Sequence, residues 1–184
     1  MENSYLSSVR KQFEYYKTLA DASMERLNFD ELNISLGSED NSIAVIAKHM
    51  AGNMLSRWTN FLTEDGEKSW RDRDSEFSAN FQTKTELIDY WEKGWLCLFL
   101  ALESIAEKDL EHIVYIRNQG HTVTEAINRQ LAHYAYHVGQ IVFIGKSILG
   151  DRWGSLSVPK GQSQTYNSEK FKKEKGRRHF TDDL

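Results

Sequence analysis

The chain has one proline and one cysteine in 184 residues. With Cys97 alone, no internal disulfide can form, which suits a reducing compartment. Cys97 lies in the apolar run WLCLFLAL and reads as a buried small hydrophobe; a reactive thiol needs an accessible, electropositive setting. With proline confined to position 159, long stretches are free to stay helical. There is no long apolar run. The longest charge-free stretch, between Arg129 and Lys146, is too short and too polar to cross a bilayer. The N-terminal MENSYLSSVRKQFEYY lacks the apolar region of a signal peptide, so the expected location is the cytoplasm. There is no basic excess either. The net charge is −4, which gives no global reason to expect nucleic acid or an anionic membrane as a partner.

What is present is a globular composition, 40% hydrophobic and 27% charged. This length suits one domain and can bury a core without a structural metal. Leu6, Val9, Phe13, Tyr16, Ala20, Met24 and Leu27 recur at steps of three and four, predicting a first helix over about 4–28. NFDELNISLGSEDN reads as a loop. Ser42 or Asn41 can cap a second helix running to about Leu62, with Ile43, Ile46, Ala47, Met50, Met54, Trp58 and Phe61 facing inward. EKSWRDRDSEFSANFQ is charged and irregular. Thr83 with Glu86 opens a third helix to about Ala106. IVYIRNQGHTV suggests a short hairpin or an extended loop, and Thr122 with Glu125 opens a fourth helix ending at Gly150. Four striped helices bury one another best as an all-α four-helix bundle, here over residues 1–156. Residues 157–184 form a basic C-terminal arm. Seven basic and two acidic residues lie between Lys160 and Arg178, predicting a solvated, partly mobile segment, or one that docks on the acidic body or on a partner subunit; with no aromatic-interleaved reader motif, nucleic acid is the less favoured contact.

The chemistry concentrates in LAHYAYHVGQI. His133 and His137 are one helical turn apart, so both rings can reach one ion. His137 falls inside the apolar arc and His133 at its edge. A histidine in such a place is more often half-buried and hydrogen-bonded than a ligand, and two do not complete a site. The third could come from His49, His112, His121 or His179. His49, Asn53 and Arg57 form a polar stripe that walks into the apolar face of the second helix. An arginine so placed needs a partner or a cavity, because a lone buried charge is costly. There is no His-Glu-x-x-His motif and no Glu-x-x-His pair, so neither the metalloprotease nor the di-iron pattern applies. An imidazole-only site suits zinc, nickel, iron or manganese.

One histidine in IAKHMAGNMLSRW and a His-x-x-x-His in LAHYAYHVGQI resemble the DinB/YfiT-like metalloenzymes. The stretch YIRNQGHTVTEAINRQLAHYAYHVGQIVFIGK is similar to the DUF1572-type branch, and the likeness extends over roughly residues 5–150. The resemblance implies an up-down-down-up four-helix bundle, often a homodimer. It also implies a divalent metal ion held by His49, His133 and His137. Some members of that group are metal-dependent transferases or isomerases that use a low-molecular-weight thiol; others are described as hydrolases. The expected partner is therefore a small-molecule substrate, with a thiol cosubstrate as one option. Asn53, Arg57 and Gln130 are candidates to orient the ligands or hold the substrate. The alternative is a non-catalytic, metal-stabilised bundle acting in stress through an interaction surface. Tyr136 and Phe143 point away from the core arc of the last helix and would mark such a surface.

Overall fold

The computed structural model describes residues 4–78 and 80–183. They form a mostly helical protein with one small sheet. Four helices are long: α1 (Ser4–Glu25), α3 (Ile43–Trp58), α4 (Lys84–Ser104) and α5 (Val123–Leu149). A four-residue α2 (Phe29–Leu32) follows α1, and α6 (Ser163–Phe171) lies in the C-terminal arm. Strands β1 (Ile113–Ile116) and β2 (Gln119–Thr122) form the hairpin, antiparallel, with Ile113 opposite Thr122 and Ile116 opposite Gln119. Among the described residues no helix is long and apolar enough to cross a membrane.

Helix starts follow the side-chain chemistry. Ser42 accepts a hydrogen bond from Val45 N, and Thr83 from Glu86 N. Thr122 and Glu125 form a reciprocal capping box, which satisfies two backbone donors that the first turn leaves unpaired. Helix α3 ends at Trp58 rather than near Leu62, because Asn60 takes a left-handed φ of 49° and turns the chain. The stretch expected to be pure loop contains α2, which opens on its own box between Asn28 and Glu31. A single turn is too short to show periodicity.

Helix α3 packs along α4 and α1 along α5, while α3 also meets α5 and α1 meets α4. Phe13, Trp58, Trp91, Trp95 and Tyr134 fill the centre. Their rings meet edge-on or tilted, as with Phe13 and Trp58 at 6.3 Å, the arrangement the ring quadrupole favours. Asp21 accepts the indole N–H of Trp91 at 2.8 Å. Cys97 is half-buried at the margin of this core, near Thr59 Oγ1.

Helix α3 is buried around nearly its whole circumference, including His49, Asn53 and Arg57. Its polar side is covered by the long connection 59–83 and by the hairpin. Asp65 ties these two together. Its Oδ1 accepts Arg117 N at 2.9 Å and its Oδ2 accepts Asn118 N at 2.8 Å. Arg117 and Asn118 have φ of 55° and 60°, the pair of left-handed residues that a two-residue hairpin turn demands. Gly66 N donates to Tyr115 O at 2.8 Å, so the connection borders the hairpin.

The basic arm is not simply solvated. Its distal end docks on α1: Lys11 pairs with Asp182, Ser8 Oγ meets His179 Nε2 at 3.2 Å, and Phe180 packs edge-on against Tyr15.

Candidate metal centre

Three of the six histidines converge. The ligating nitrogens of His49, His133 and His137 lie within 4.8 Å of one another. Helix α5 supplies two rings one turn apart, and α3, packed against α5, supplies the third. The Nε2 atoms of His133 and His137 are 3.1 Å apart. His112, His121 and His179 lie elsewhere: His121 approaches Arg129, and His179 sits on α1.

The outer nitrogens decide what the inner ones can do. His49 Nδ1 is 2.9 Å from Glu76 Oε2. Burial acts to raise the Glu76 carboxyl, but hydrogen bonds from His49 and Arg71 outweigh it and hold the pKa below its usual range. An ionised carboxylate only accepts, so Nδ1 is the donor in this bond and Nε2 is the nitrogen left for an ion. His137 Nδ1 donates to Gln140 Oε1 at 2.7 Å, which frees its Nε2 in the same way. Burial lowers the pKa of His137 and pushes that of His133 down to about 3, helped by the neighbouring imidazoles and by Arg57 and Arg71. Clustered imidazole nitrogens, two of the three rings held through their outer nitrogens, are a donor set that suits a divalent ion.

Glu76 comes from the 59–83 connection, on a turn of 3-10 helix (Asp74–Phe77). Gly52 makes room for it: a Cβ there would sit 2.5 Å from Glu76 Oε1. Arg71 grips the same carboxylate through two bonds of 2.7 and 2.9 Å, and its third nitrogen reaches Glu67 at 3.2 Å. Phe77 stacks on the His49 ring at 5.0 Å. None of these residues stands out in the sequence. The segment lacks periodicity, and its one signal is the density of paired charges in KSWRDRDSEF.

Beside the histidines lies a cavity of about 220 Å³, lined by His49, His133, Asn53, Gln130 and a group of arginines. Asn53 is fixed by a relay in which Trp58 Nε1 donates to Tyr134 OH at 3.2 Å and Tyr134 OH donates to Asn53 Oδ1 at 2.8 Å. Gln130 is buried and its Oε1 has no hydrogen-bond partner among the described residues. Arg57, which needed a partner or a cavity, has both, with Glu67 at 3.9 Å.

The depressed His133 pKa has a consequence for folding. Between 6.5, the ordinary value, and about 3, the unfolded chain binds a proton that the folded chain refuses. Stability from this group is therefore complete above pH 6.5 and declines as the pH falls toward 3. In metal-free protein, melting temperature should fall less steeply from pH 7 to 4.5 for His133→Asn than for the native chain. Parallel curves would contradict the assignment.

The fold and site together define a mostly helical protein with a convergent three-histidine cluster beside a basic cavity. The model of a family described as a protein of unknown function, DUF1572, matches residues 1–162, and the chain belongs to that family. No curated protein and no solved structure matches it.

Proposed function

We propose that this protein is a divalent-metal-dependent enzyme of the DinB-like kind, acting on a small molecule by group transfer or hydrolysis. The observation that carries the reading is the trio His49, His133 and His137, whose nitrogens cluster while Glu76 and Gln140 hold two outer nitrogens. The pairing of α1 with α5 and of α3 with α4 supports an up-down-down-up four-helix bundle. Such a bundle carries its site between facing helices. Zinc, nickel, iron and manganese all accept an imidazole-only set. Bound there, the ion supplies Lewis acidity that makes a thiol or a water a competent nucleophile at neutral pH. The chain's own residues do the rest. Asn53 and Gln130 present amides to the cavity, and Arg57 presents a buried positive charge. No disulfide or metal is needed to staple a chain of this length, which favours a chemical role over a structural one.

The test is elemental analysis of protein purified without a histidine tag, followed by assay of thiol conjugation to electrophiles and of hydrolysis. Stoichiometric metal with either activity supports the reading; metal-free protein at full folding ends it. Glu76→Gln should lower metal affinity by roughly 10–100-fold, the usual effect of losing an outer-shell partner. An amide can serve His49 or Arg71 with its oxygen, but it carries no charge to hold both. Competition with a chromogenic chelator measures the loss, and unchanged affinity would remove Glu76 from the site.

A homodimer is the proposed assembly. Tyr136 and Phe143 on α5 are 63% and 65% exposed, so nothing in the described chain covers them. Light scattering over a range of concentrations decides, and a monomer throughout rules the dimer out.

A further inference from the structure

The cavity beside the histidines is more basic than metal binding requires. Arg57, Arg71, Arg73, Arg117 and Arg129 all line it, and no carboxylate does. The acids behind the wall do not balance them. Glu76 pairs with Arg71. Glu67 is shared among Arg57, Arg71 and Arg117 at 3.9, 3.2 and 3.3 Å. Asp65 spends its oxygens on backbone N–H groups of the hairpin turn and of Glu67. Five guanidiniums stand against these three carboxylates, in a chain whose net charge is −4. Arg73 and Arg129 have no ion pair among the described residues; Arg73 rests over the Phe77 ring and Arg129 approaches His121.

Arg57 is the decisive member. It is only 4% exposed, yet its Nε and Nη1 atoms have no hydrogen-bond partner among the described residues. Burial lowers its pKa, and Arg129 and Arg71 add to that, but guanidinium stays charged at any ordinary pH. A buried cation with two idle donors costs stability unless something else satisfies them. Gly66 leaves it space, since a Cβ there would lie 2.6 Å from Arg57 Nη1. Nothing in the metal trio calls for this expense.

We infer that the arginine-lined cavity is an oxyanion subsite, which takes the carboxylate or phosphoryl group of the substrate and holds the rest of the molecule toward the three histidines. Guanidinium forks match both groups with paired N–H donors, and they do so best where water is excluded. The volume of about 220 Å³ suits one such group and a few attached atoms. The inference rests on the proposed metal centre only for the direction in which the substrate points.

The experiment is calorimetric titration of the full chain with inorganic phosphate, with malonate and with neutral malonamide, before and after chelator treatment. Phosphate or malonate should bind under both conditions, and malonamide should not. Preference for phosphate assigns a phosphoryl substrate, and preference for malonate a carboxylate. Arg57→Met should weaken anion binding at least about tenfold, since hydrogen bonds to charged groups are the strong ones. Arg129→Gln, at an exposed position that leaves folding intact, should weaken it severalfold. Anion binding that disappears on chelation belongs to the metal and overturns the subsite. So does binding that survives both substitutions, or no binding at all. Because the chelated protein is tested separately, failure of the metal reading and failure of this one give different results.

Discussion

His137→Ala protein, purified in parallel with the native chain, should retain less than about a tenth of its metal, because removing one of three protein ligands must cost more than the 10–100-fold typical of an outer-shell change. His133 and His49 would remain, on different helices, with no third imidazole to close the set. The variant should still fold. His137 is only half-buried, and Gln140, its partner, also binds the exposed Tyr136. Helical circular dichroism should therefore be unchanged while elemental analysis shows the loss. Native metal content in a folded variant would sink the three-histidine centre. His121→Ala is the matched control, since that ring lies outside the cluster and should leave metal content alone.

The second large effect concerns stability and has opposite signs at two glycines. Gly94 on α4 faces α3 so closely that a Cβ would meet Ala51 Cα at 2.8 Å and Ala51 Cβ at 3.0 Å. Gly139 on α5 has nothing within 4 Å of its Cβ position. On helix propensity alone, either change to alanine should gain up to about 1 kcal/mol. At Gly94 the obstacle is backbone, which cannot swing aside, and overpacking of this kind costs about 1–3 kcal/mol. Gly94→Ala should thus lower the melting temperature by several degrees, at roughly 2–4 °C per kcal/mol for a chain of this size. Gly139→Ala should raise it slightly. The same result at both positions would mean that α3 and α4 do not approach as described.

The contrast between helices and connections also explains what could be read in the sequence. The His133–His137 pair was legible because a helix repeats, so spacing reports geometry. The same logic made His49 stand out among four candidates, as the head of a polar stripe entering an apolar face, and the family resemblance joined it to the pair. The stripe also foretold that Arg57 would meet a partner or a cavity. Glu76 was not legible. It lies 27 residues from His49 on an aperiodic segment, and only the path of the chain brings the two together. Arg117 was hidden for another reason: the hairpin could be expected from RNQG, but the role of Asp65 in seating it across 52 residues could not. The docking of the arm on α1 likewise depends on single long-range contacts, such as Lys11 with Asp182, that composition does not encode.

The network around Arg71 separates two duties. The histidines stand on α3 and α5, where a packed aromatic core fixes their spacing. Arg71, Arg73 and Arg117, three of the five cavity arginines, stand on the 59–83 connection and the hairpin turn, which bear on each other through Asp65. On the proposed function, exchange of residues in these two surface segments would change which molecule fits while the helices keep the histidines in place. Glu76 joins the two duties, since one carboxylate holds both His49 and Arg71.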